Sequence, residues 1–238
     1  DGDTGVVLVF ELTDRGWRQV DELLASDGDR GDRFGASVGL SGSIAVVGAP
    51  GSDTGNGVDA GAAYVFLRGS NGWSEQVRLT ASDGVAGDGF GFSVAADNDL
   101  VVIGAPAADV TGAQRAGKVY IFESNGLFWE VNEIISRSDA VLGNQFGYSL
   151  AIENETLVIG APGEHNSAGG VYVYEPSGDA WVQEARLPGS NAAIDNQLGF
   201  AVDLSDNYAI AGAPGCNQDA GAAFVFRRVG GQWAGIEE

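Results

Sequence analysis

The feature that most constrains this chain is a period of fifty-odd residues. Phe34-Gly35-Ala36-Ser37-Val38 runs into Ile44-Ala45-Val46-Val47-Gly48-Ala49-Pro50. The pair returns as Phe90-Gly91-Phe92-Ser93-Val94 with Val102-Ile103-Gly104-Ala105-Pro106, and as Phe146-Gly147-Tyr148-Ser149-Leu150 with Val158-Ile159-Gly160-Ala161-Pro162. A worn copy reads Leu198-Gly199-Phe200-Ala201-Val202, then Ala209-Ile210-Ala211-Gly212-Ala213-Pro214. Gly5, Gly61, Gly117, Gly169 and Gly221 each open a strand-like run, and Trp17, Trp73, Trp129, Trp181 and Trp233 follow them at an offset of 12. Both series advance by 56, 56, 52 and 52 residues. A fixed period of this length predicts units that bury their apolar faces on one another.

Each unit reads as four short strands. Strand a follows Phe-Gly, and strand b is the apolar run ending in Gly-Ala-Pro. Strand c runs from the periodic glycine to an aromatic, and strand d begins near the tryptophan. The β-branched and aromatic content of c and d, bounded by Gly, Asn, Asp and Ser, is the chemistry of strands. Strand b has little polar alternation, as expected of a strand covered on both faces. Helical spacing is nowhere sustained, and the 38 glycines oppose long helices. The a–b turns, such as Asp97-Asn98-Asp99 and Asp206-Asn207, are tight and polar.

Four antiparallel strands per repeat predict an all-β propeller of four-stranded blades. The chain reads as about four and a half blades in one domain over residues 1–238. Strands c–d of a partial blade occupy 1–33, full units occupy 34–89, 90–145 and 146–197, and 198–238 supplies a, b, c and the start of d.

These motifs resemble the FG-GAP repeat family, whose β-propeller also forms the head of integrin α subunits. The resemblance is closest to bacterial-style secreted repeats: Trp73, then Leu79-Thr80-Ala81-Ser82-Asp83-Gly84, Asp88-Gly89-Phe90-Gly91-Phe92-Ser93-Val94 and the Gly-Ala-Pro run. It covers essentially the whole chain and implies an extracellular location, secreted or at the cell surface. It also implies a closed ring with more blades than this chain holds, so a fragment or an assembling unit is expected. In the integrin-like members calcium sits in an Asp-rich loop between strands a and b. The a–b turns here are too short for that loop, so those sites do not carry over.

Composition narrows the partners. A formal charge of −21 argues against nucleic acid or an anionic membrane surface, which need clustered Lys and Arg. No apolar run reaches membrane-spanning length. The lone Cys216 forbids an internal disulfide.

The acidic loop Asp27-Gly28-Asp29-Arg30-Gly31-Asp32 is the candidate metal site. Asp27, Asp29 and Asp32 are the carboxylates that calcium would use, with backbone carbonyls completing the shell. A second reading competes with it. Asp27 recurs as Asp83, Asp139 and Asn191, and Asp32 as Asp88, Asn144 and Asn196. Exchange of Asp for Asn is what a turn cap tolerates. Asp53, Asn56 and Asp59 form a weaker acidic group. Arg30-Gly31-Asp32 spells a tripeptide that some integrins recognise, although its arginine has no counterpart in the next unit.

No nucleophile elbow, Cys/His cluster or phosphate loop is present, and the sole histidine, His165, lies in a b–c loop beside Glu164. No enzymatic activity is expected. The periodic tryptophans read as pins between strands, or as a ring of sugar-stacking platforms. The expected function is a non-catalytic binding or adhesion module presenting the variable b–c loops to a protein or glycan. The alternative is a structural subunit of an extracellular filament, sheath or surface layer, whose blades are completed by other copies of itself.

Overall fold

A computed structural model describes residues 4–187, 189 and 193–236. The half-blade consists of β1 (Val7–Thr13) and β2 (Gly16–Leu23). Blade one contains β3 (Ser37–Ser41), β4 (Ile44–Ala49), β5 (Ala62–Gly69) and β6 (Gly72–Leu79). Blade two contains β7 (Ser93–Asp97), β8 (Leu100–Ala105), β9 (Lys118–Ser124) and β10 (Trp129–Ile135). Blade three contains β11 (Ser149–Glu153), β12 (Thr156–Gly160), β13 (Val171–Ser177) and β14 (Ala180–Leu187). Blade four contains β15 (Ala201–Ser205), β16 (Tyr208–Ala213), β17 (Ala222–Val229) and β18 (Gln232–Ile236).

Every full blade is an antiparallel sheet in the order a, b, c, d, so the all-β propeller reading holds. The final d strand is short but formed, from Val225 opposite Ile236 to Val229 opposite Gln232. The a–b hairpins turn on two residues, with Asn98, Asn154 and Asp206 in left-handed backbone that short polar side chains tolerate.

The apolar cores lie between blades. Phe34, Phe90, Phe146 and Leu198 each anchor one, pressed against the c strand of their own blade; Phe90, Phe146 and Leu198 meet the b–c face of the preceding blade, and Phe34 meets the two strands of the half-blade. Phe90 packs edge-on against Tyr120 and Phe122, with ring centroids 5.1 and 6.1 Å apart. Edge-to-face pairs of this kind add roughly 1 kcal/mol to the burial itself. Phe34 and Phe146 repeat the arrangement.

Glycine makes the close approach possible. A Cβ on Gly48, Gly104 or Gly160 would lie 1.9–2.1 Å from the carbonyl oxygen of Gly91, Gly147 or Gly199 in the next blade. The serine of Phe-Gly-x-Ser crosses the same gap: Ser37 donates to Gly91 O at 2.8 Å, Ser93 to Gly147 O at 2.6 Å and Ser149 to Gly199 O at 2.8 Å. The fourth unit has Ala201 at this position, and no further blade follows it among the described residues.

Candidate functional site

The b–c loops and the segments entering Phe-Gly form one continuous surface. The b–c loops of blades one to three are each stitched to the next blade by their main chain. Gly87, Gly89 and Phe90 donate to the carbonyls of Val58, Asp59 and Ala60; Gly143, Gln145 and Phe146 donate to Gln114, Arg115 and Ala116; Asp195, Gln197 and Leu198 donate to Asn166, Ser167 and Ala168. The loops are therefore held in place, whatever their side chains.

Their two lengths have a simple cause. The longer loops carry a turn closed by reciprocal backbone hydrogen bonds, between Thr54 and Gly57 and between Val110 and Ala113. The shorter loops replace it with one helical turn, α1 (Glu164–Ser167) or α2 (Cys216–Asp219), whose central residues are left-handed.

Asp32 is buried, and one of its carboxylate oxygens accepts the Asp29 N–H at 3.0 Å. Asp88 accepts the Val85 N–H at 2.9 Å in the same way, so this position is the turn cap that Asp/Asn exchange suggests. Burial pushes the Asp88 carboxyl above its usual range. Burying Asp32 also withdraws the Arg30-Gly31-Asp32 tripeptide from presentation.

Asp27 behaves differently from the cap it resembles in sequence. It accepts the Tyr64 hydroxyl at 2.8 Å and lies 3.4 Å from the Arg78 guanidinium. Asp83 repeats this with Tyr120 at 2.8 Å and Lys118 at 2.7 Å. Burial alone would raise the Asp83 carboxyl; the Lys118 and Tyr120 hydrogen bonds outweigh it and hold the group low. The corresponding Asn191 lies outside the described residues.

Blade three exchanges the partner. Glu164, buried in the b–c loop, takes the Tyr172 hydroxyl, while Arg137 and Arg186 stand 3.6 and 3.5 Å from its carboxylate. Gly170 permits this, because a Cβ there would meet Glu164 Oε2 at 1.9 Å. His165 Nδ1 lies 3.2 Å from Glu164, with the ring largely exposed. The Glu164 carboxylate thus belongs to a buried Tyr–Arg network.

Asp27, Asp29, Asp32, Asp53 and Asp59 all line one cleft of about 490 Å³ beside Arg78. Asp53 is committed to the Asp59 N–H at 2.9 Å. Among the described residues, no three His, Cys, Asp or Glu side chains are grouped to hold a metal ion.

Sequence reasoning passed over the third residue of Phe-Gly-x-Ser. Phe92, Tyr148 and Phe200 form a row of contacting rings across three blades, with centroids 4.8 and 5.0 Å apart. Phe92 and Phe200 are exposed and Tyr148 is half-buried. A cleft of about 290 Å³ opens beside this row, lined by Arg33, Asp59, Phe92, Arg115, Gln145 and Tyr148 among others. Arg33 and Arg115 are exposed, in left-handed backbone, and among the described residues their guanidinium groups have no hydrogen bond or ion pair. The aromatic signal was present in the motif itself; the meeting of the two arginines, 82 positions apart, was not.

The tryptophans serve structure. Trp73, Trp129, Trp181 and Trp233 pack against the inter-blade cores. Trp17, on the half-blade, is exposed.

The FG-GAP repeat matches the chain four times, over residues 17–66, 73–122, 129–174 and 181–226. The chain belongs to the FG-GAP repeat family. Each match begins on a tryptophan and ends on the aromatic of strand c, so the family's unit is strand d of one blade followed by a, b and c of the next. The sequence repeat therefore straddles every inter-blade core. FG-GAP repeats build β-propeller modules often involved in binding, are generally non-catalytic, and are typical of extracellular or surface proteins. No curated protein matches the chain significantly. Among the described residues, no helix is long and apolar enough to cross a membrane.

Proposed function

We propose that this protein is a non-catalytic binding module, secreted or at the cell surface, that engages an anionic glycan or protein partner on its b–c face. The observation that carries this reading is the pair Arg33 and Arg115 beside the Phe92–Tyr148 rings. In a chain with a formal charge of −21, two guanidinium groups that have no hydrogen bond or ion pair among the described residues and flank one aromatic cleft are placed for a ligand rather than for the fold. The ring faces suit the apolar face of a sugar or an apolar side chain. The forked guanidinium donors suit a carboxylate or sulfate, and Asp59 in the same cleft accepts hydroxyl hydrogens.

The test uses immobilised uronate- and sulfate-bearing polysaccharides together with acidic extracellular proteins. Saturable, salt-sensitive binding is expected, weakened at least tenfold in the Arg33→Ala/Arg115→Ala double variant with no change in melting temperature. Absence of binding to either class, or saturable binding indifferent to the double variant, overturns the reading.

A further inference from the structure

The cleft beside Phe92 has a neighbour that the repeat generates. Arg33, Asp59, Phe92, Arg115, Gln145 and Tyr148 line the cleft itself. Moving each position on by one unit gives Gly89, Arg115, Tyr148, Ser167, Gln197 and Phe200. The main chain repeats with them: Gln145 donates to Arg115 O at 3.2 Å, and Gln197 to Ser167 O at 2.7 Å. Arg115 and Tyr148 belong to both places, and the ring row runs through both, Phe92 to Tyr148 to Phe200. What changes is charge. Gly89 and Ser167 stand in the second place where Arg33 and Arg115 stand in the first. Arg33, Arg115, Gln145 and Gln197 also hold long side chains in left-handed backbone, at φ 58°, 51°, 56° and 57°. Gly89 fills the position of Arg33 and Gln145 without strain, so the fold does not demand those side chains. Strain of this kind collects where ligands bind.

Resting on the reading that the b–c face takes an anionic partner, we infer that this partner is an acidic polysaccharide held over two successive sugar units. An acidic unit lies between Arg33 and Arg115, and a neutral unit lies over Tyr148 and Phe200 beside Ser167 and Gln197. Three features select a glycan over a protein. The rings pass from blade to blade in steps of 4.8 and 5.0 Å, a platform for flat units in succession. A protein partner would instead anchor single side chains in closed pockets. The first place also mixes donors with an acceptor, and among the described residues no ion pair joins Asp59 to either arginine. The guanidinium forks suit a carboxylate, and Asp59 suits the hydroxyls beside it on the same sugar. Finally, about 290 Å³ is too little to enclose a drug-sized ligand, so a ligand longer than one unit continues along the row.

The test titrates three probes against the full chain by calorimetry. They are free glucuronic acid, an unsulfated hyaluronan tetrasaccharide in which uronate and neutral sugars alternate, and a capped Gly-Glu-Gly-Glu peptide with the same two carboxylates. The tetrasaccharide is expected to bind at least tenfold more tightly than the free acid or the peptide. Gln197→Glu places a negative charge at the neutral position without changing side-chain size. It is expected to return the tetrasaccharide to the affinity of the free acid, leave the free acid's own binding unchanged, and keep the melting temperature. Three results overturn the inference while leaving the cationic cleft in place: a tetrasaccharide no tighter than the free acid, a Gln197→Glu protein that binds it as before, or a peptide that binds as tightly as the tetrasaccharide. The last would make the partner a protein. Binding of none of the three overturns the cleft reading together with the inference.

Discussion

The Ser93 hydroxyl donates to the carbonyl oxygen of Gly147 at 2.6 Å, from strand a of one blade to the entry of the next, and both groups are buried. This bond, repeated by Ser37 and Ser149, ties the motif Phe-Gly-x-Ser to the motif that follows it about one period later.

Ser93→Ala leaves the Gly147 carbonyl without that donor in a site closed to water. Leaving a buried acceptor unsatisfied costs about 1–2 kcal/mol. Urea denaturation of the variant is expected to show a lower midpoint with an unchanged slope. An unchanged midpoint would mean that another donor replaces the hydroxyl.

Gly104→Ala puts a methyl 2.1 Å from Gly147 O and 2.2 Å from the Ser93 hydroxyl oxygen. The Gly147 carbonyl cannot move without parting two blades and the Ser93 hydroxyl cannot turn away without losing its bond to that carbonyl, so a loss of about 3 kcal/mol is expected, at the upper end for overpacking. The comparison is Gly212→Ala, the same chemical change where the atom nearest an added Cβ lies 3.8 Å away, which is expected to be neutral. Equal losses at both positions would place the cost in the strand and not in the blade interface.

Alkaline pH is expected to unfold the protein through its buried tyrosines. Burial, reinforced by the hydrogen bond to Asp27, pushes the Tyr64 phenol up to about 12 from an ordinary value of 10.0. Tyr120 and Tyr172 shift the same way, through burial and their bonds to Asp83 and Glu164. A raised folded pKa stabilises fully below the unfolded value and loses that contribution as pH rises through the folded one. Stability should therefore hold to about pH 10 and fall from there towards pH 12 and above. Circular dichroism and phenolate absorbance are followed together, and the native signal is expected to be lost as the last phenolates form; complete phenolate formation in a chain that stays folded would refute the assignment.

Calcium is expected to leave the melting temperature unchanged. Binding at Asp27, Asp29 and Asp32 competes with the Tyr64 hydroxyl and the Arg78 guanidinium for Asp27 and with the Asp29 N–H for Asp32. A thermal scan with millimolar calcium checks this, since extracellular calcium modules bind in roughly the 0.1–1 mM range. A rise that Asp29→Asn removes would establish the loop as a calcium site.

The acidic loop shows where sequence reading stops. Asp27 and Asp32 have the same residue type, similar replacements elsewhere in the repeat and positions in the same loop. One caps a turn and the other receives a tyrosine hydroxyl from strand c, 37 residues away. Only the cap is a local interaction, so only the cap was legible. Glu164 shows the same limit: Gly170 and the shortened loop are visible in sequence, but their joint consequence is the replacement of an aspartate from another loop.

The sequence by itself determined the period, the four strands of each unit, their antiparallel order and the family, because these follow from side-chain alternation, turn chemistry and glycine placement within a few residues of one another. Tertiary structure alone decided which units touch and what they share. The aromatic row, the Arg33–Arg115 cleft and the serine bridges each join residues that approach only when twisted sheets stack about one period apart. The geometry of that stacking is set by packing density across the blades, a property of the assembled sheets that no single unit encodes.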